Sequence, residues 1–209
     1  IARMLKTSMA VSGDFYDFIP LENGQIGITI ADIRGKGVPA ALLMVMTRTI
    51  LRIVCKEEAS PAVVLKKIND ILAEDTATGI FATMVYGILD PDERAFNYCN
   101  AGHCPPIKIN SNHEEISMLE TGGMVLGTFG FAEFQAETVI LEEDDLLFLY
   151  TDGVTETENK DNENDLFGEE RLVELLKENV LVPTQQICEN VEQALIEFSG
   201  TNQRADDLT

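Results

Sequence analysis

The sequence predicts an α+β fold in which antiparallel sheets are covered by pairs of helices. Segments with an apolar residue at every second position follow one another through the middle third of the chain, joined by turn-forming links. Segments with apolar residues at helical spacing come in pairs, one pair before these strands and one pair after them. A doubly wound parallel sheet would need strands and helices to alternate regularly, which the middle third does not do.

Seven strands are predicted from alternation or from short apolar runs bounded by turn residues. The first alternates polar and apolar residues and then becomes apolar up to Asp32. The second and third are antiparallel neighbours because a turn-forming run, residues 90–93, joins them. The predicted strands are residues 25–32, 82–89, 94–99, 107–109, 115–119, 137–141 and 146–150.

Four helices are predicted from apolar residues that lie three or four positions apart. Pro39 suits the first turn of one helix, and Pro61 opens the next, so these two form a helical hairpin. The other two helices close the chain. The predicted helices are residues 39–57, 61 through 72, 168–178 and 184–198.

The charge and the composition exclude several classes of protein. The chain has 36 acidic and 15 basic residues and a formal charge of −21, whereas nucleic-acid-binding proteins gather Lys and Arg to contact phosphates. A hydrophobic content of 45% is too high for a disordered chain. The longest apolar run, residues 38–46, is much shorter than the about 20 residues of a membrane-spanning helix. We therefore expect neither nucleic-acid binding nor a membrane segment.

The cysteines and the first residues indicate a cytoplasmic fragment of a longer protein. Four cysteines are scattered without a CxxC pair, so reduced thiols are expected rather than disulfides or a zinc site. The chain starts at Ile1 and lacks the features of a signal peptide. We expect residues 1–209 to be a single domain, taken from the C-terminal part of a longer, regulated protein.

Aspartates recur where the chain turns or where a strand ends. They are Asp14, Asp32, Asp152, Asp206 and Asp207. Carboxylates on separate loops can converge on hard divalent cations such as Mg²⁺ and Mn²⁺, which take oxygen ligands and several waters. Taken singly, each of these aspartates is better explained as a turn residue. The motifs around them, taken in order, favour the metal site.

Six motifs follow one another along nearly the whole chain. They are SGDFYD at residues 12–17, ADIRGKGVPAALLM at 31–44, FATMVYGILD at 81–90, YCNAGHCPP at 98–106, LYTDGVTE at 149–156 and DDLT at 206–209. As an ordered set they resemble the metal-dependent protein phosphatases (the PPM or type 2C family) in their bacterial SpoIIE-like branch. Ser12 stands where that branch usually has a glycine, and this departure removes no expected ligand.

The resemblance implies both an architecture and a metal centre. The architecture is a sandwich of two antiparallel sheets flanked by helix pairs, in α-β-β-α layers. The centre holds two divalent ions, Mn²⁺ or Mg²⁺, at one edge of the sandwich. The ligands that the resemblance implies are the side chains of Asp14, Asp32, Asp152 and Asp206 and the backbone carbonyl of Ile33, with Asp207 as the alternative to Asp206.

The resemblance also implies the reaction, which is hydrolysis of a phosphomonoester by a water held between the two ions. Eukaryotic relatives have a His two residues after the matching ligand, where this chain has Arg34. An Arg stays protonated up to a pH of about 12 and cannot donate a proton to the leaving group. Arg34 either contacts the substrate phosphate or is an ordinary exposed residue of the loop.

Three competing motifs are incomplete. Gly35-Lys36-Gly37 lacks the spacing of a P-loop. Residues 161–165 resemble an EF-hand opening, but Leu166 stands where the Gly belongs and Leu172 where the bidentate Glu belongs, so a solvated loop is expected at 161–165. Cys104 beside His103 lacks the CxxxxxR loop of cysteine phosphatases, and a structural role is expected for His103.

By resemblance, the expected function is that of a phosphoserine/phosphothreonine protein phosphatase in bacterial signal transduction. The expected substrate is a STAS-type anti-sigma-factor antagonist, and the expected regulator is an upstream sensor or receiver domain. Docking or homodimerisation through the hairpin at residues 39–57 is a further expectation. Two alternatives stay open: a catalytically silent protein-binding module of the same fold, and a phosphoesterase that acts on small esters.

Overall fold

The computed structural model describes residues 1–9, 11–75, 81–112, 115–201 and 206–209, without the side chain of Asp75. The strands in these residues are β1 (Phe15–Pro20), β2 (Ile26–Ile33), β3 (Ala82–Asp90), β4 (Ala95–Ala101), β5 (Ile107–Ile109), β6 (Ile116–Met118), β7 (Gly122–Gly123), β8 (Glu137–Ile140), β9 (Leu146–Phe148), β10 (Glu158–Asn159) and β11 (Asn162–Leu166). The helices are α1 (Val38–Val54), α2 (Pro61–Asp75), α3 (Asp152–Thr155), α4 (Gly168–Asn179) and α5 (Thr184–Ser199). None of the described helices has the length and apolar character that a bilayer crossing requires.

Two sheets form the centre of the molecule. The larger sheet has the order β1-β2-β3-β4-β7, and β8 also pairs with β4. The smaller sheet has the order β6-β5-β9. The pairs are antiparallel apart from the two-residue pairing of β7 with β4, which is parallel. Because Ile33 lies opposite Ala82, the end of β2 and the start of β3 share one edge of the larger sheet.

One face of the larger sheet packs against helices and the other against the smaller sheet. Ala31 and Ile33 of β2 belong to an apolar core that includes Leu51 of α1 and Leu65 of α2. The opposite face of the same strand presents Ile28, which shares a second core with residues of both sheets. Side chains that alternate along a strand reach the two faces in turn, so β2 is buried on both sides.

The smaller sheet is also covered on both faces. Leu147 of β9 belongs to the core between the two sheets. Its neighbour Leu146 points the other way, into a third core that includes Leu172 of α4 and Leu195 of α5. The four layers are therefore α1 and α2, the larger sheet, the smaller sheet, and α4 and α5. This arrangement confirms the predicted α-β-β-α sandwich.

Helix α1 is tied to the larger sheet by a buried carboxylate. The side chain of Asp17 in β1 is 7% exposed and accepts hydrogen bonds from the guanidinium groups of Arg52 (2.6 and 2.7 Å) and Arg48 (3.0 Å). Burial alone would raise the pKa of Asp17, but the hydrogen bonds and charges of Arg52 and Arg48 outweigh it, so the pKa is lowered. Asp17 thus stays ionised and fixes the position of α1 over β1.

Five short elements were not predicted from the sequence: β1, β7, α3, β10 and β11. Residues 15–20, which overlap the SGDFYD motif, form β1 and pair with β2 along their whole length. Residues 161–165, expected as a solvated loop, lie mostly in the hairpin of β10 and β11. Neither segment shows a simple alternation of apolar and polar residues, because Asp17 interrupts the apolar residues of the first and the second is polar almost throughout.

Candidate metal centre

Four of the predicted ligands meet where strand ends and the last described residues come together. Asp14 immediately precedes β1, and Asp32 is the second-last residue of β2, so the antiparallel pairing of these strands brings the two together. Asp152 is the first residue of α3, the element that follows β9. Asp206 precedes Leu208, which pairs with Lys6 near the start of the chain. We call Asp14, Asp32, Asp152 and Asp206 the acidic end of the molecule.

The carboxyl groups of the acidic end change one another's ionisation. Burial, and then the charge of Asp32, raise the pKa of Asp14 to about 8. Burial and the charge of Asp152 raise the pKa of Asp32 to about 6. Burial and the charge of Asp206 also raise the pKa of Asp152. Carboxyl pKa values raised in this way, by burial and by neighbouring carboxylates, mark the acidic end as a candidate functional site.

A backbone oxygen lies beside these carboxylates. A Cβ added at Gly13 would lie 3.0 Å from the carbonyl oxygen of Ile33 and 3.7 Å from Oδ1 of Asp32. The lack of a side chain at Gly13 therefore allows the backbone before Asp14 to approach Ile33 closely. The assignment of Ile33 as a ligand stays a prediction, and its carbonyl group is close to the acidic end.

Asp207 differs from the four carboxylates of the acidic end. Its Oδ1 accepts hydrogen bonds from the backbone N–H of Ser8 (2.7 Å) and from the hydroxyl of Ser8 (2.9 Å). Its Oδ2 accepts hydrogen bonds from the hydroxyl of Ser12 (2.6 Å) and from the backbone N–H of Gly13 (3.1 Å). Burial would raise the pKa of Asp207, but these hydrogen bonds, led by that of Ser12, lower it. With both oxygens engaged, Asp207 is the weaker candidate for a ligand, which favours Asp206.

The last residues and the start of α3 hold the site together. Thr209 donates a hydrogen bond from its hydroxyl to Oδ2 of Asp14 (2.8 Å) and one from its backbone N–H to the hydroxyl of Thr151 (3.2 Å). Gly153 packs so closely on this segment that a Cβ added there would lie 1.9 Å from the carbonyl oxygen of Asp207. The sequence analysis missed Thr209 and Thr151, although both belong to motifs that it quoted.

The two basic residues of the loop after Asp32 have different partners. Arg34 places its guanidinium carbon 5.0 Å from the ring centre of Phe81, in a cation–π contact. Lys36 places its Nζ 3.1 Å from Oδ2 of Asp206. The sequence analysis singled out Arg34 as the candidate phosphate contact, whereas the structure brings Lys36 to the acidic end.

His103 and Cys104 lie near the site without the properties of catalytic groups. His103 is buried, its Nδ1 is 2.7 Å from the hydroxyl of Thr83, and burial lowers its pKa to about 4. The backbone around it is held by Asn100, which bonds to both the N–H and the carbonyl of His103. Burial raises the pKa of the Cys104 thiol to about 12, which makes it a poor nucleophile.

The donor set at the acidic end fits divalent cations that prefer oxygen ligands. Among the residues that the structure describes, no three His, Cys, Asp or Glu side chains are grouped closely enough to hold a metal ion. Mg²⁺ and Mn²⁺ commonly take one or two carboxylates and keep several waters, which suits dispersed carboxylates of this kind. The raised carboxyl pKa values are a second point of fit, because bound cations would stabilise the ionised forms.

The fold is that of a PP2C-type phosphatase domain. The model of the family described as Stage II sporulation protein E (SpoIIE) matches residues 22–209, and the chain belongs to this family. The phosphoserine phosphatase RsbU of Bacillus subtilis is 31% identical over 199 residues, which are 95% of this chain and 58% of RsbU. Three curated relatives, RsbU included, are matched over 37% to 58% of their own lengths.

Solved structures show the same fold. The SiaA-PP2C domain of Pseudomonas aeruginosa superimposes with a TM-score of 0.82 at 22% identity, over 98% of this chain and 81% of that one. The structure of RsbX in complex with magnesium has a TM-score of 0.64 at 18% identity, over 98% of this chain and 89% of that one. The structural similarity to these two proteins, at sequence identities of 22% and 18%, supports the four-layer architecture.

Proposed function

We propose that the chain is a phosphoserine/phosphothreonine protein phosphatase that depends on two divalent metal ions, Mn²⁺ or Mg²⁺. The observation that carries this proposal is the convergence of Asp14, Asp32, Asp152 and Asp206, whose shared burial and charge raise the pKa of the first three. Membership of the SpoIIE family supports it, as does similarity to a relative named as a phosphoserine phosphatase.

In this proposal each group at the acidic end has a defined part. The carboxylates of Asp14, Asp32, Asp152 and Asp206 and the carbonyl of Ile33 hold the ions. When bound, the ions activate a water for attack on phosphorus and offset the negative charge that develops on the phosphoryl oxygens.

Other side chains of this chain position those ligands. Thr209 orients the Asp14 carboxylate through its hydroxyl. Asp207 holds the turn at Ser12 and Gly13, which fixes the backbone that leads into Asp14. Removal of either group would leave the layers of the fold intact but loosen the metal centre, because both act on residues outside the apolar cores.

The substrate that we propose is a small phosphorylated regulatory protein of the STAS type. The motif resemblance and the similarity to RsbU support this choice. Regulation by an upstream sensor or receiver domain and homodimerisation are part of the same proposal. The exposed apolar side chains along α1, Val38, Leu42, Val45 and Ile53, make this helix the candidate surface for such contacts.

Hydrolysis assays with and without Mn²⁺ test the proposal. The substrates are p-nitrophenyl phosphate, a phosphoserine peptide and a phosphorylated STAS protein, and the variants are Asp152→Ala and Asp32→Asn. We expect Mn²⁺-stimulated hydrolysis by the wild type and a loss of about 100-fold or more in both variants, since each lacks a ligand. Asp92→Asn, which changes an exposed carboxylate in the turn after β3, is the matched control and should keep full activity.

Two outcomes would count against the proposal in different ways. A folded wild type without Mn²⁺-stimulated activity on any of these substrates would favour the silent binding module. Full activity in both ligand variants would show that the ligands are wrongly assigned even if the enzyme is a phosphatase. Calorimetric titration with Mn²⁺ separates these cases, because it reports on the ligands without requiring turnover.

A further inference from the structure

Lys36 occupies the place from which a cation would contact a substrate phosphate. A phosphate dianion must approach an end of the molecule that carries four carboxylates, so a basic side chain at its rim would help to bind it. The Nζ of Lys36 lies 3.1 Å from Oδ2 of Asp206, and its charge opposes the rise in the pKa of Asp152 that burial and Asp206 cause. Arg34, two residues earlier, instead stacks on Phe81.

The loop that carries Lys36 has a defined shape. Gly35 and Gly37 on either side of it have φ values of +117° and +76°, which residues with a side chain rarely adopt. Helix α1 starts directly after Gly37, with Pro39 in its first turn. The backbone of Lys36 is therefore held in a fixed turn between Asp32 and the 17-residue helix α1. The flexible side chain of the lysine allows its ammonium group to move from one partner to another.

A cleft leads from the surface to this lysine. It has a volume of about 380 Å³, and Lys36, Asp206 and Gly153 line it beside the hairpin of β10 and β11 and helix α5. The other charged side chains on its walls are mostly acidic: Glu156, Glu158 and Glu163, with Lys160 as a second basic residue. A phosphoryl group in such a cleft would be repelled by most of the walls and attracted at Lys36.

From these observations, and on the basis of the proposed phosphatase function, we infer that Lys36 binds the substrate's phosphoryl oxygens at the mouth of the acidic end. The side chains of Lys36 and Asp206 are 54% and 47% exposed, and an ion pair between exposed groups is weak. The ion pair with Asp206 is therefore a weak competitor for a contact between Nζ and a phosphoryl oxygen. An ammonium group suits this exchange because it is a compact charge with three donors that rotates freely.

The test measures phosphate binding directly. Inorganic phosphate is titrated calorimetrically into the Mn²⁺-loaded protein, comparing the wild type with Lys36→Gln and Lys36→Arg. We expect Lys36→Gln to weaken phosphate binding roughly tenfold and Lys36→Arg less than about threefold, because the arginine keeps the charge. The inhibition constant of phosphate against p-nitrophenyl phosphate hydrolysis should change in parallel.

Control variants separate this role from general electrostatics. Lys160→Gln removes the other positive charge that lines the same cleft and should change phosphate affinity less than about twofold. An equal loss in Lys160→Gln would overturn the inference, since the charge of the whole cleft would then explain the binding. A larger loss in Arg34→Gln than in Lys36→Gln would overturn it in favour of the arginine.

The Mn²⁺ affinity of the Lys36→Gln variant distinguishes two roles of Lys36: binding the substrate phosphate, and holding the metal ligand Asp206 in position. Lys36→Gln should bind Mn²⁺ as tightly as the wild type or more tightly, because Asp206 loses a competing partner. A tenfold loss of Mn²⁺ affinity would show that Lys36 holds Asp206 in place, and the inference would fail.

Failure of the inference can be told from failure of the proposed function. A wild type that hydrolyses phosphoserine while Lys36→Gln binds phosphate normally would refute the inference alone. A wild type that binds phosphate through Lys36 but hydrolyses nothing would refute the phosphatase function and leave the binding role standing.

Discussion

Replacement of Gly153 by Ala should separate two of the proposed metal ligands without unfolding the protein. Gly153 lies in the helical turn α3 right after Asp152, and an added Cβ would sit 1.9 Å from the carbonyl oxygen of Asp207. Ordinary contact begins at 3.4 Å, so α3 and the 206–209 segment would have to move apart by about 1.5 Å. The tolerance of a metal–ligand distance is only about 0.2 Å.

The expected result is therefore loss of the metal centre at a moderate cost in stability. We expect Mn²⁺ affinity and Mn²⁺-dependent hydrolysis to fall about 100-fold, equivalent to about 2.7 kcal/mol, because a ligand misplaced by more than 1 Å no longer coordinates well. Overpacking should lower the free energy of unfolding by about 1–3 kcal/mol. Calorimetric Mn²⁺ titration measures the first effect and urea denaturation of the metal-free protein measures the second.

Gly130→Ala is the matched control for this prediction. A Cβ at Gly130 would have nothing within 4 Å, so this variant should bind Mn²⁺ and hydrolyse substrate like the wild type. If Gly153→Ala retained Mn²⁺ affinity within about threefold of the control, the argument that close packing of α3 on the 206–209 segment sets the ligand positions would be refuted.

Three other substitutions give independent checks. Asp207→Asn should lower the free energy of unfolding in urea by about 2–4 kcal/mol, because an amide cannot accept the four hydrogen bonds from Ser8, Ser12 and Gly13; a change as small as that of Asp92→Asn would contradict this. Asp17→Asn should lower the free energy of unfolding, measured by urea denaturation, by about 1–2 kcal/mol because the ion pairs with Arg48 and Arg52 are lost. An unchanged free energy of unfolding would show that α1 is held by its apolar face alone. Burial is the main cause that raises the pKa of Asp14 from 3.8 to about 8 in the folded protein. Between these values the folded protein binds the proton and the unfolded chain does not, so the melting temperature of the metal-free protein should fall as the pH rises from about 4 to about 8. Asp14→Asn should flatten this profile, and a wild-type profile that is already flat would show that Asp14 has no raised pKa.

The buried strands and the helices were predictable because their side chains repeat with a simple period. β3 and β4 show apolar alternation around a turn of Asp and Pro, and α5 shows apolar residues at helical spacing, so each was placed within a few residues. β1 was not predicted because Asp17 takes a buried position that an apolar residue would normally occupy. The arginines that neutralise it lie about 30 residues further along the chain, on α1, and local pattern carries no sign of such a pair.

The candidate site was predictable in outline and not in its details. Motif order identified the aspartates, since each of their segments is short and distinctive. The choice between Asp206 and Asp207 could not be made from the sequence, because it depends on hydrogen bonds from Ser8 and Ser12 at the opposite end of the chain. Lys36 was overlooked because its motif was used to locate Asp32 and its flanking glycines were compared with a P-loop, whereas its closeness to Asp206 arises from tertiary structure.

The hydrogen bonds between the first and last described residues also bear on the timing of folding. Asp14 and Thr209, or Ser8 and Asp207, are nearly 200 positions apart, yet they are in direct contact. The closure of so long a loop is entropically costly and is favoured only after the layers between have packed. On the ribosome, a nascent chain that has not yet released Asp206 could form the apolar cores but not the complete metal centre. Assembly of the acidic end would then be one of the last steps in the folding of the described residues.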